Sequence, residues 1–253
     1  MPSTHSSWFA HQLQGLINRS RTMPAHRFVL FGASFSGAHI AIDLLRQEAI
    51  DTRHGPLPPT WTVEPLLSRR HFFPLQYVQC CGLSGSSYLF GFKLSAADLI
   101  VTHGMNEPYR FMDILHRQGY RVIHLQRLDL MRHAIAVLKD QQPTHRQIDP
   151  QALLTTLKQL DEQRIAEAAI VSQVPHLSLT YETDLIDPNV HSTTAQRLCR
   201  FLSLQHRPSP RPAMKLVHQR VSDLIDNYDE VCTVLNHSDY AYVLTAASAK
   251  LAI

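Results

Sequence analysis

The 253-residue chain lacks most of the features that assign a protein to a class at sight. It has only four cysteines, Cys80, Cys81, Cys199 and Cys232, and no CxxC pair, so neither a zinc knuckle nor a disulfide framework is encoded, and reduced, mostly buried thiols are expected. The 16 histidines form no HExxH or comparable ligand spacing, so no metal is expected. No apolar run is long enough to span a bilayer. Near the start, Trp8, Phe9, Leu13, Leu16 and Ile17 are interleaved with His11, Gln12 and Gln14, which is not the h-region of a leader. A cytoplasmic protein with no membrane partner is expected. The formal net charge of +3 is too small to point to nucleic acid, although the histidines raise it below neutral pH. No internal repeat or long disordered tract is present, and GxxxxGK[ST] is absent, which ranks a small P-loop kinase last among the functional readings.

What the chain does have is 44% hydrophobic against 18% charged residues, enough to bury the core of a single domain over 1–253. Residues 1–24 read as a short amphipathic helical extension and 214–253 as a C-terminal helical segment. The central stretch is RFVLFGASFSGAHIAIDLL, Arg27 to Leu45. Phe28 to Phe31 is an apolar run of strand length, Gly32 and Gly37 bracket a loop of small residues, and Ile40, Ala41, Leu44 and Leu45 recur at helical spacing. A loop between a buried strand and a helix N-terminus suits an anion, because unpaired N–H groups and the helix dipole face it.

The same alternation continues along the chain. Gly55 and three prolines in DTRHGPLPPT, residues 51–60, predict an exposed connector without regular structure. Glu64 precedes Pro65 at a predicted helix start, where a carboxylate complements the dipole. Residues 72–94 are hard to assign: FFPLQYVQCC is followed by a Gly/Ser turn, GLSGSS, and then by the apolar run YLFGFKL, which is read as a strand. A helix is predicted from Asn106 to Gly119, a strand at RVIHLQR delivering Arg127 at its C-terminal end, and a helix from Leu130 to about Gln141. Leu153, Leu157 and Leu160 open a long amphipathic helix reaching about Ser172, and HLSLTYE is a further strand. Another helix carries Ala195, Leu198, Cys199 and Leu202. RPSPRP breaks the chain, and Val221 to Leu235 reads as one late helix. This order predicts an α/β fold, three-layer α/β/α with a central parallel sheet, whose ligands bind at the carboxyl ends of strands.

Five segments in this order resemble the sulfotransferases that use 3′-phosphoadenosine 5′-phosphosulfate (PAPS), in particular the bacterial carbohydrate and small-molecule type, over Arg27 to about Leu244. They are FVLFGASFSGAHIAIDLL; GFKL, residues 91–94; VIHLQRLDLMRHAIAVL, residues 122–138; LTYETDLIDP followed by LCRFLSL; and the ending KLVHQRVSDLIDNYDEVCTVLNHSDYAYVL. The resemblance implies the P-loop-like sulfotransferase fold and transfer of a sulfuryl group to a hydroxyl or amine of a small metabolite or saccharide, without a metal. It implies that Gly32, Ala33, Ser34, Phe35, Ser36, Gly37, Ala38 and His39 cradle the phosphosulfate, that Arg127 grips the 3′-phosphate and that Lys215 closes over the nucleotide. Glu64 stands where the family has its base, with His39 second as base or as a stand-in cation. Four positions depart from the family pattern. Phe35 replaces the loop Lys or Arg, Ala38 and His39 replace Ser or Thr, and Ala136 replaces the 3′-phosphate Ser. A cation that stabilises the leaving oxygen is typically worth ~10²–10³ in rate. Lys93, Lys215 or protonated His39 would have to supply it, and the alternative is a catalytically degenerate sulfotransferase-fold protein acting as a binding or assembly partner.

Overall fold

The computed structural model describes residues 25–51, 55–56, 66–84, 89–141, 146–208 and 220–244. The N-terminal extension and the candidates Glu64 and Lys215 lie outside the described residues. The centre of the molecule is a four-stranded parallel sheet made of β1 (His26–Phe31), β4 (Leu89–Leu94), β5 (Tyr120–Gln126) and β6 (His176–Thr180), in the spatial order β4-β1-β5-β6. β1 and β4 are near-continuous buried runs because both faces are covered there, whereas β6, at the sheet edge, is only partly buried. Alternate residues supply the two faces. Phe28 and Leu30 of β1 point to one side, where they meet α1 (Ala38–Glu48) and α6 (His191–Leu202), while Val29 and Phe31 point to the other, where they meet α3 (Pro108–Arg117) and α5 (Pro150–Val171). The expected α/β architecture and its parallel sheet are therefore present. A third cluster joins α4 (Leu130–Gln141) and α5 to the short helices α7 (Val221–Leu224) and α8 (Tyr228–Asn236).

One close approach marks the register of β1 against β4. Phe28 lies opposite Gly91 of β4, and a Cβ built there would stand 2.2 Å from Cζ of the Phe28 ring. Only a glycine leaves room for that ring.

Four sequence expectations are corrected. The unassigned stretch contains a helix, α2 (Pro74–Ser84), which opens at Pro74, where proline is tolerated. The connector at 51–60 is not wholly irregular: β2 (Ala49–Asp51) pairs antiparallel with β3 (Gly55–Pro56) and with β7 (Gln205–His206) in a small second sheet. Pro56 is admitted because β3 is an edge strand, where a missing N–H costs no ladder bond. The late helix is two helices, because Ile225 is extended at φ −136°, ψ 137°. There Asn227 turns its side-chain amide onto Ile148, accepting from its N–H at 3.0 Å and donating to its C=O at 2.9 Å. The Asp226 N–H donates to Arg146 O at 3.0 Å, so tertiary bonds replace the next turn of helix. The helix expected to start at Pro65 is not formed over its described residues, 66–73, which are turns and bends, and the next helix begins only at Pro74. The remaining predicted elements among the described residues stand within a few residues of their expected ends, and all four cysteines are thiols, of which only Cys199 is fully buried.

Candidate anion-binding site

The order β4-β1-β5-β6 places the topological switch point beside β1, since the chain leaves β1 for β4 on one side and returns to β5 on the other. The loop 32–37 and the residues after Gln126 therefore meet at the carboxyl end of the sheet. Gly32 N–H extends the β1–β4 ladder by donating to Leu94 O at 2.9 Å. Gly37 turns the chain into α1 at φ +94°, and a Cβ there would meet Leu185 Cδ1 at 2.6 Å and Tyr181 Cδ2 at 2.9 Å. Phe35 also has positive φ, 63°, an unfavourable conformation for a bulky residue, so something must hold it.

Three side chains from other elements do so. The Arg127 guanidinium donates to Phe35 O at 3.0 Å, His133 Nε2 donates to Ser34 O at 2.6 Å, and Lys93 Nζ donates to Ser34 Oγ at 3.4 Å. Arg127 also lies over the Tyr181 ring, 4.4 Å from its centroid, while its Nε is buried with no hydrogen-bond partner among the described residues. Burial lowers the pKa of Arg127 and of Lys93; Asp98 and Glu167 oppose the effect at Lys93. Burial pushes His133 down to about 4, so it is neutral at physiological pH and holds the loop as a hydrogen-bond donor.

Two helices begin at this end of the sheet, and they are capped differently. At α4, Glu182 accepts from Leu128 N at 3.0 Å and Asp129 N at 2.9 Å, and Asp129 in turn accepts from Arg132 N and pairs with the Arg132 guanidinium at 3.2 Å. Carboxylates of the chain itself thus fill that N-terminus. At α1 the cap is Gly37, with no side-chain cap bond and no acid in the first turn. The N-terminus of α1, flanked by Lys93 and Arg127, is suited to an external anion.

Behind the loop a cavity of about 10 Å³, the space of one water molecule, is lined by Ala33, Ser36, Arg127, His133, Arg164 and Glu167. Glu167 is buried, and its carboxyl group accepts from Gln163 Nε2 at 3.1 Å and from the N–H groups of Ala33 and Ala96. Burial pushes its pKa up to about 7 against these bonds and the nearby Lys93.

Of the expected site residues, Gly32 to Ala38 and Arg127 are brought together. His39 is exposed on the first turn of α1, and Ala136 lies within α4, where it offers no side-chain hydrogen bond. Two weaker histidine candidates have structural roles: His103 Nε2 bonds Leu67 O at 3.1 Å, and His124 is buried in β5 against His176 with its pKa pushed down to about 4. Sequence reasoning missed Glu167, His133 and Glu182. Glu167 had a signal, because a carboxylate falls on the stripe that carries Leu160, Ile170 and Val171. His133 had none, since it sits inside the run Leu130, Met131, Ala134, Ile135. Among the described residues, no cluster of His, Cys, Asp or Glu is arranged to hold a metal ion. No protein-family model matches the chain, and no curated protein matches it.

Proposed function

We propose that the loop Gly32–Gly37 and the first turn of α1 bind the phosphosulfate end of PAPS, and that the protein is a P-loop-like sulfotransferase acting on a hydroxyl or amine of a small metabolite or saccharide. The observation that carries this reading is the convergence of Arg127 from β5 and Lys93 from β4 on the loop before the one of these two helices that lacks its own carboxylate cap. The residues fit such a group: N–H donors at a helix start, two flanking cations, and an Arg127 Nε without a partner. When bound, the donor would supply an activated sulfuryl group on a nucleotide leaving group. The chain's own contribution is positioning and charge. In this reading Lys93, held on the loop through Ser34, would take the place of the loop cation that Phe35 displaces and would offset negative charge on the leaving oxygen. Arg127 has the 3′-phosphate as its partner in this reading. Glu64 is proposed as the base that removes the acceptor proton, with His39 as the second choice, and Lys215 as the residue that closes over the nucleotide.

Titration with 3′-phosphoadenosine 5′-phosphate, followed by thermal unfolding, tests the donor site. A ligand that binds only the folded chain raises Tm as its concentration passes Kd. Arg127→Gln and Lys93→Ala should each weaken binding by about tenfold to a hundredfold, the worth of a charge-assisted hydrogen bond. The absence of any shift at millimolar nucleotide overturns the reading. The second reading, a degenerate fold serving as a binding partner, is favoured by Phe35 at the cation position and by a cavity with room for only one water. It predicts that absence of a shift.

A further inference from the structure

We propose that the turn Ser68–Phe73, together with Ile100 and Val101, is a contact surface for an anionic lipid bilayer. Phe72 is 98% exposed and Phe73 63%, and Val101 at 79% and Ile100 at 41% are exposed on the π-helical turn Asp98–Thr102, which His103 joins to Leu67 and His71. Single exposed apolar residues need no explanation, but four large ones on two adjoining turns do. The turns are held together from beneath. His71 stacks on Tyr77 with ring centroids 3.8 Å apart and lies 6.1 Å from His103, and His103 Nε2 bonds Leu67 O, while Leu67 itself is fully buried. Tyr77 N–H donates to Phe73 O at 3.0 Å, which ties the turn to the start of α2. The aromatic tip is thus mounted on a fixed base.

Charge selects the occupant. Arg69 and Arg70 precede the aromatic pair with only His71 between them, both are exposed, and neither makes an ion pair among the described residues. Asp98, the acid on the neighbouring turn, is turned inward, accepting from Ser95 N and Ser95 Oγ at 2.8 Å each. Among the described residues of this turn, two cations stand outward beside two phenyl rings. A protein partner would need a pocket shaped to each ring, whereas a bilayer receives a projecting ring at the acyl boundary and meets the guanidinium groups with lipid phosphates and carboxylates. The whole-chain charge of +3 hides this local pairing. The turn that carries Ile100 and Val101 follows the C-terminal end of β4, so the surface lies at the same end of the sheet as the loop 32–37.

The full chain is mixed with vesicles of pure phosphatidylserine or pure phosphatidylcholine at low ionic strength, and the bound fraction is read by co-sedimentation. Binding to phosphatidylserine is expected to exceed that to phosphatidylcholine by about tenfold or more and to fall as salt is added. Phe72→Ser/Phe73→Ser and Arg69→Glu/Arg70→Glu should each lose about tenfold or more, with far-UV circular dichroism and Tm unchanged because the altered side chains are on the surface. Absence of binding to phosphatidylserine, equal binding to both lipids or undiminished binding by the variants overturns the proposal. So does a dimer in sedimentation equilibrium that Phe72→Ser/Phe73→Ser dissolves, since a second copy would then cover the rings.

Discussion

The carboxyl group of Glu167 and the imidazoles of His133 and His124 make stability depend on pH in opposite directions. Burial raises Glu167 from 4.5 to about 7, so between those values the folded chain holds a proton that the unfolded chain has lost. Its contribution to stability is complete below the unfolded value and falls as pH rises through the window. Burial lowers His133 and His124 from 6.5 to about 4, so here the unfolded chain binds the extra proton and stability falls as pH drops from 6.5 toward 4. Glu167→Gln keeps an oxygen for the N–H groups of Ala33 and Ala96 and removes the first effect alone. Urea unfolding of this variant at a series of pH values between about 5 and 8 should show the decline toward high pH abolished, a change of the order of a few kcal/mol across the window. A slope equal to that of the unaltered chain would remove Glu167 as its source.

Among the elements, local sequence was most informative where one segment satisfied itself. The 22-residue α5 announces its start with Asp149-Pro150, where the Asp149 carboxylate accepts from Gln151 N at 3.0 Å and proline takes the first helical position. The α4 helix occupies the predicted Leu130–Gln141. The late helix was misread because Val221, Leu224, Ile225, Tyr228, Cys232 and Leu235 keep helical spacing straight through the break. Nothing local marks Asn227 as the partner of a backbone 79 residues away. That amide pair should carry measurable stability: Asn227→Ala leaves the N–H and C=O of Ile148 without these partners, and denaturant unfolding should show a loss of about 1–3 kcal/mol. The same substitution in an uninterrupted helix would be neutral or stabilising, since alanine is the better helix former.

For the molecule as a whole, protection should follow the layers. Phe28 to Phe31 and Val122 to Ile123 are fully buried at the middle of the sheet, with helices on both faces, whereas α7 is four residues long and joined through an extended Ile225. Native-state hydrogen exchange should find the slowest amides in β1 and β5, opening only with global unfolding, and much faster exchange in α7. Equal protection of both would contradict a core centred on β1. No helix among the described residues is long and apolar enough to cross a membrane, and the contact proposed at Phe72 and Phe73 is with its surface.

The α/β class, the strand that ends at Arg127 and the small-residue loop after Phe31 were legible because each follows from the spacing of residues within one segment. A period of 3.6 or a strand-length apolar run needs no knowledge of what packs against it. The strand order β4-β1-β5-β6 was not legible, and with it came the meeting of Arg127, Lys93 and His133 on one loop. The contact of Lys93 with Ser34, 59 residues away in sequence, likewise exists only once β1 and β4 lie side by side. So does the burial that shifts Glu167, since an ionisable group is perturbed by its spatial neighbours, and these come from the crossovers of the fold and not from the order of the chain.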